Sequence, residues 1–211
     1  MKNKVRSILM LSILLISGIA SQAQVRLAPP RPEMTKPFGL LTKERQTIRD
    51  FSDKELSPEM ISNILWAAYG INRPTEGRRT VPSARNAQEF DIYVFTQKGV
   101  FLYNGEKHAL ETVLKEDHRK DISIQSFFGV APMSIVIVAN YDRMEKFSDE
   151  DREFYSAVDA GYVSQQIYLM AANYHLATVA CGAINRNDLA KLLHVKNGKV
   201  ILAHPIGYIK E

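Results

Sequence analysis

In Arg45-Gln46-Thr47-Ile48-Arg49-Asp50-Phe51 two guanidiniums bracket a hydroxyl, and an aromatic closes the segment. Each guanidinium is a fixed fork of donors that matches phosphate oxygens two at a time, and a threonine hydroxyl adds another bond. On a helix end at i and i+4, or along a strand at i, i+2 and i+4, Arg45 and Arg49 share one face. Either arrangement, with Gln46 and Thr47 between them, suits a terminal phosphomonoester. The plain alternative is a solvated surface with two arginines on it. A second polar group, Pro82-Ser83-Ala84-Arg85-Asn86-Ala87-Gln88, ends the turn-rich loop 71–88. Its Ser83, Asn86 and Gln88 offer hydroxyl and amide groups able to read the edge of a polar ring, where most such loops merely connect. Arg78 and Arg79, earlier in that loop, have nothing to place them at a phosphate. A third element is the small-residue strand end Ala180-Cys181-Gly182-Ala183.

Other chemistries fail on their signatures. Gly161-Tyr162-Val163-Ser164-Gln165 lacks the second glycine of a nucleophile elbow and falls inside a predicted helix. There is no P-loop and no GxGxxG dinucleotide fingerprint. The histidines at 108, 118, 175, 194 and 204 lack metal-ligand spacing. The single Cys181 excludes an internal disulfide and a cysteine-based metal site, and reads as a small buried hydrophobe. No catalytic acid, base or nucleophile is identified.

The elements that must position these groups follow in chain order. Residues 1–23 combine a basic head (Lys2, Lys4, Arg6), an apolar run from Ile8 to Ala20, and Ser21-Gln22-Ala23, the three parts of a cleavable secretory signal. The run is shorter than the ~20 residues of a membrane-spanning helix. No stable membrane anchor is therefore expected, and the protein is expected to be exported, in the periplasm, with a mature chain beginning at Gln24. Loss of this segment takes the formal charge from +4 to +1, so nothing points to nucleic acid. Residues 24–39, with Pro29, Pro30, Pro32 and Pro37, read as an extended arm, a tether or a strap across a partner. Residues 40–211 form one α+β domain.

Within it, Ser57-Pro58 starts a helix that Gly70 stops. Phe90–Phe95 and Val100–Tyr103 form a hairpin, and Ala109–Leu114 is a third strand, with a helix the alternative. Met133–Ala139 is a central strand. Ser148 caps a long helix over roughly 150–174 with Gly161 inside it. A buried strand over 177–181, a short helix over 188–194 and a last strand over 200–203 complete the domain.

Taken together, 45–51, 82–88, Asp159-Ala160-Gly161…Gln165-Gln166, Leu176–Ala183 and Pro205-Ile206-Gly207-Tyr208 resemble, in order and spacing, the nitroreductase family of FMN flavoproteins. The short loops and the end soon after Gly207-Tyr208 look most like its SagB-type dehydrogenase branch. The resemblance implies a central mixed or antiparallel sheet flanked by helices, and a homodimer with FMN at the subunit interface. By motif, Arg45, Gln46, Thr47 and Arg49 would hold the phosphate and ribityl chain, with Lys210 the candidate for a further phosphate contact. Ser83 and Asn86 would face the isoalloxazine, and amides near Ala180, Cys181 and Gly182 would lie near N5. The implied activity is ping-pong hydride transfer through the flavin between a small-molecule donor and acceptor. The alternative is a flavin-binding protein without turnover, for storage or sensing. Bleaching of the colour by a reductant and recovery with an acceptor would separate the two.

Overall fold

Residues 90–96 and 133–140 are rich in Val, Ile and Phe, and such runs are stable as strands covered on both faces. The computed structural model describes residues 24–31 and 35–211; the expected signal segment 1–23 and arm residues 32–34 lie outside the described residues. In chain order the elements are β1 (Gln24–Arg26), α1 (Phe38–Glu44), α2 (Pro58–Tyr69), β2 (Ile71–Arg73), β3 (Arg78–Arg79), β4 (Phe90–Thr96), β5 (Gly99–Asn104), β6 (Ala109–Leu114), β7 (Met133–Asn140), α3 (Asp149–Tyr174), β8 (Leu176–Thr178), α4 (Arg186–Leu192) and β9 (Gly198–Tyr208). Seven strands form one sheet in the order β1-β6-β5-β4-β7-β9-β8, and β2 and β3 form a separate ribbon. Every pairing among them is antiparallel. The fold is thus α+β, with an antiparallel sheet flanked by helices.

Alternation along β4 and β7 divides the core between the two faces of the sheet. Ile92, Val94, Ile135 and Ile137 pack with Ile64 and Leu65 of α2 and Val163, Ile167 and Met170 of α3. Tyr93, Phe95, Val136 and Val138 face the other way, onto Leu189 and Leu193 and the loop residues Ile122 and Phe128. The described part of the arm runs along its own subunit. Gln24–Arg26 adds an edge strand to β6, Ala28 accepts from Ser62 Oγ at 2.7 Å, and Arg31 donates its amide to Asn63 at 2.7 Å. Among the described residues no helix is long and apolar enough to cross a membrane.

Several boundaries differ from the sequence reading for physical reasons. The strand expected over 177–181 stops at Thr178 and resumes only as a bridge between Cys181 and Ala203; the register is kept, and the missing rung at Val179 lies opposite Pro205, which has no amide to donate. The last strand runs on through Pro205 to Tyr208. Ala203 exchanges both backbone hydrogen bonds with Cys181, so Pro205, two residues on, faces the same side. That side holds the interruption between Thr178 and Cys181, where the missing amide breaks no further ladder bond. α3, by contrast, ends at Tyr174 as expected, and without glycine, His175 taking the left-handed cap at φ 56°.

Ser57 Oγ accepts the Met60 amide at 3.2 Å and starts α2 as expected. Gly70 ends it in extended backbone, so its glycine is required by space alone. A methyl group there would lie 2.5 Å from Trp66 Cδ1 and 2.6 Å from the Trp66 carbonyl oxygen. Gly70→Ala is therefore expected to destabilise the protein by about 1–3 kcal/mol, the usual range for overpacking. Urea unfolding measures this, and a midpoint equal to wild type would contradict it.

Candidate functional site

Residues 45–53 leave α1 as an extended segment that crosses the C-terminal edge of the sheet. Ile48 donates its amide to Thr178 at 3.1 Å, Ser52 to Tyr208 at 2.9 Å, and Phe51 pairs with Ile209. Lys210 donates its amide to Asp50 at 3.2 Å, which brings the last predicted residue beside the first group. Arg45 is half-buried, while Gln46, Thr47 and Arg49 are exposed. Among the described residues neither guanidinium has a carboxylate partner, and that of Arg45 stacks 5.1 Å from the Tyr168 ring centroid. Two uncompensated cations thus lie close in sequence on one extended segment. A cleft of about 920 Å³ borders this segment, with Lys54 and Lys210 on its wall.

Tyr168, which the sequence does not mark as a functional residue, joins this segment to the strand end. Its hydroxyl accepts the Ala180 amide at 2.8 Å and lies 3.0 Å from Thr47 Oγ1. Donation of the phenolic proton to Thr47 leaves the threonine hydrogen free to point outward. Beneath the ring lies His204, wholly buried, its ring edge-on to Tyr168 at 5.4 Å. Its Nε2 meets Ser164 Oγ at 2.9 Å and its Nδ1 meets Thr178 Oγ1 at 3.2 Å. Burial drives its pKa down to about 3, so the imidazole is neutral and serves as a polar brace.

The three residues of the strand end differ in what they can offer. The amides of Ala180 and Cys181 are already given to Tyr168 and to Ala203, so they hold the backbone in place. The Gly182 amide has no partner among the described residues, and a methyl group at Gly182 would meet nothing closer than Arg186 at 3.7 Å. The surface beside Gly182 is therefore open, with one backbone donor available. The neighbouring turn is tied to it, because Ser123 Oγ donates to the Ala183 carbonyl at 2.7 Å. Cys181 is buried, its sulfur 3.7 Å from Gln125 Oε1 and from the Ala183 carbonyl.

Ser83 and Asn86 belong to a different neighbourhood. Their loop holds three non-glycine residues at positive φ, Arg85 (50°), Asn86 (57°) and Gln88 (49°). Left-handed backbone costs about 1–2 kcal/mol for a residue with a side chain, and polar anchors offset it here. Ser83 Oγ accepts the Gln88 amide at 2.9 Å, and Asp159 Oδ2 accepts the Ala84 amide at 2.7 Å. Arg79 donates to Gln88 Oε1 at 2.9 Å and to the Tyr69 carbonyl at 2.8 Å, so it is an anchor of this loop rather than one of a loose surface pair. Asn86 is exposed, its Nδ2 unpartnered among the described residues. His108, by contrast, is structural, bonded to Ser62 and Tyr103 at 2.7 and 2.9 Å.

Both clusters hang on α3, at Asp159 and at Tyr168. Nine residues at 3.6 per turn put these on opposite flanks of the helix, roughly 14 Å apart along its axis. One chain therefore presents two polar clusters facing different ways. Fold and clusters define an α+β protein in which an antiparallel sheet and one long helix carry an arginine-bearing segment on one flank and a strained polar loop on the other. The nitroreductase family model matches residues 42–208, and the chain belongs to that family. A Methanocaldococcus jannaschii protein whose name places it among the nitroreductases is 31% identical over 174 residues, covering 78% of this chain and 87% of that one. A Ralstonia eutropha crystal structure, also named as a nitroreductase, superposes with a TM-score of 0.85 at 32% identity, covering 89% of this chain and 90% of the other. A nitroreductase family protein of Clostridium difficile, at 19% identity and a TM-score of 0.62, shares the fold over 83% of this chain and 86% of its own.

Tyr168→Phe keeps the ring under Arg45 and over His204 but removes the hydroxyl that orients Ala180 and Thr47. The expected cost is about 1–3 kcal/mol, that of leaving a buried donor unpaired. Faster hydrogen exchange at the Ala180 amide should accompany it. Unchanged exchange there would mean that another group holds the strand end.

Proposed function

We propose that this nitroreductase-family protein is an FMN-dependent oxidoreductase that works as a homodimer, each site built from Arg45–Arg49 and Gly182 of one subunit and Ser83 and Asn86 of the other. The observation that carries the reading is the pair of uncompensated guanidiniums on the segment that Tyr168 ties to the strand end. The donor set matches the group: Arg45, Arg49 and the Thr47 hydrogen for a phosphate dianion, with the Lys210 ammonium beyond them. Gln46 would reach the ribityl hydroxyls, Ser83 and Asn86 the polar ring edge, and the Gly182 amide the ring near N5. Ala180 and Cys181 would keep that amide aimed. When bound, FMN supplies two-electron hydride chemistry, which is why the protein needs no acid–base dyad of its own. A small-molecule donor and acceptor would use the open surface beside Gly182 in turn, giving ping-pong turnover.

The outer face of α3 supports the dimer. Phe154, Val158 and Tyr162 are 61%, 39% and 45% exposed, at successive i+4 positions on one stripe. Gly161 lies in the same stripe with nothing within 4 Å of where a methyl group would be, space that a second helix can fill. The short loops support the SagB-type dehydrogenase branch. The basic head, short apolar run and Ser21-Gln22-Ala23 support export to the periplasm. There the electron donor would be a substrate or a membrane or small-molecule carrier in place of NAD(P)H.

Arg45→Ala and Arg49→Ala each remove charge-assisted bonds of about 1.5–3 kcal/mol. FMN affinity should fall roughly ten- to hundredfold in either variant, while riboflavin, lacking the phosphate, should bind weakly and lose little more. Arg78→Ala is the control, since Arg78 has only a 3.9 Å contact with Glu76 at the surface. Flavin fluorescence on titration of apoprotein reads the result, and equal FMN affinity across all variants would return this segment to ordinary surface. Val158→Lys places a charge in the middle of the apolar stripe, so sedimentation should show a folded monomer with weakened FMN binding. A dimer of undiminished strength would remove α3 from the interface.

A further inference from the structure

Glu89 immediately follows the strained loop, and its carbonyl accepts the Asn140 amide at 2.9 Å at the start of β4. The residue is wholly buried, and neither carboxyl oxygen has a hydrogen-bond partner of the ordinary donor–acceptor kind among the described residues. A carboxylate in that position would be a buried charge without compensation. What it faces is a second acid: the carboxyl of Asp159, 3% exposed, is within hydrogen-bonding reach of it if one of the two carries a proton. Asp159 is also the residue whose Oδ2 takes the Ala84 amide at 2.7 Å.

We propose that Glu89 and Asp159 are positioning residues: one proton shared between their carboxyls holds Asp159 against the Ala84 amide and fixes the Ser83–Gln88 loop in its binding shape. The neutral partner is Glu89, which donates its O–H to the Asp159 carboxylate, while the other side of that carboxylate accepts from Ala84. Loss of the proton leaves two buried carboxylates in contact, which like charges oppose. The anchor at Ala84 then fails, and Arg85, Asn86 and Gln88 leave their left-handed conformations.

The other groups around the pair do not replace the proton. Arg143 approaches from the turn after β7, but its guanidinium is bound to Asp91 at 2.6 Å and to the Phe90 carbonyl at 3.1 Å. From α2, Tyr69 offers a hydroxyl that accepts the Phe90 amide at 3.1 Å, and Arg79 lies 4.1 Å from its ring centroid. Burial raises the Glu89 pKa to about 7, against the pull of its own backbone amide and of Arg143, with Asp159 raising it further. Burial also raises Asp159, against the Ala84 amide and the bond from Glu89. An acid whose folded pKa lies above its ordinary value contributes stability that is complete below pH 4.5 and lost as pH rises through about 7.

That the loop holds a flavin rests on the function proposed above; that the acid pair holds the loop does not. The test follows the hydrogen-exchange protection factor of the Ala84 amide in full-chain apoprotein, together with FMN affinity, from about pH 5.5 to 8.5. In wild type the protection should fall about tenfold across one pH unit around neutrality, the slope expected from one proton. Glu89→Gln, whose amide can still donate to Asp159 but cannot ionise, should keep high protection at every pH. Asp159→Ala should show low protection throughout. FMN affinity should weaken with pH in wild type in parallel with Ala84 protection and stay flat in Glu89→Gln. If no flavin binds yet Ala84 follows this pattern, the acid pair stands and the flavin reading falls. If FMN binds but wild-type Ala84 protection is independent of pH, or matches Glu89→Gln throughout, the acid pair is overturned.

Discussion

One phenolic hydroxyl joins the arginine-bearing segment of this protein to its strand end. Tyr168 Oη accepts the Ala180 amide, which faces away from β9, and in the same position meets Thr47. Cys181 gives both its backbone groups to Ala203, so the next amide, that of Gly182, also faces away from β9. The strand end is thereby open beside two uncompensated arginines. A neutral, wholly buried His204 supports the ring from below and itself bonds Ser164 and Thr178. The brace is polar, but each ring nitrogen has a partner, which lets it sit in the core without a desolvation penalty left unanswered.

The helix that carries Tyr168 also carries Asp159, and the half-turn between their directions has consequences for assembly. A rigid α-helix cannot bring two opposite flanks to one ligand. A protein that uses both clusters on one cofactor must therefore supply the second from another copy. The exposed Phe154, Val158 and Tyr162 and the open Gly161 occupy the remaining outer face, between the two flanks. A single helix thus has a core face, two site-bearing flanks and an apolar outer face. Its mixed composition reflects those four environments, and no single hydrophobic stripe describes it.

The sequence made some of this legible and hid the rest for reasons of distance. Caps and alternation are local, so the Ser57 start of α2, the β4–β5 hairpin and the buried β7 could be read directly. The Arg45–Arg49 segment was visible because guanidinium spacing survives in either local conformation. Tyr168 was not visible: a half-buried tyrosine on a helix looks the same whether its hydroxyl meets water or a strand end. Its i−4 neighbour Ser164 is the one weak signal of a polar strip inside the helix. The Glu89–Asp159 contact joins residues seventy positions apart, and nothing near Glu89 marks it as buried. Arg79 looked like half of a surface pair, while its two hydrogen bonds make it a loop anchor. α3 stops at Tyr174 as expected, although His175 takes there the conformation that glycine usually supplies.

The placement of residues 45–53 also orders events in time. This stretch is held by Thr178, Tyr208 and Lys210, partners that lie more than 120 residues later in the chain. A chain emerging N-terminus first carries both arginines until those partners have been made, with nowhere to put them. The site is completed by the last strand and the two residues after it. Display of the two arginines is therefore a late event in folding: without residues 178 and 208–210 the segment would keep both arginines, yet lack the edge that holds it.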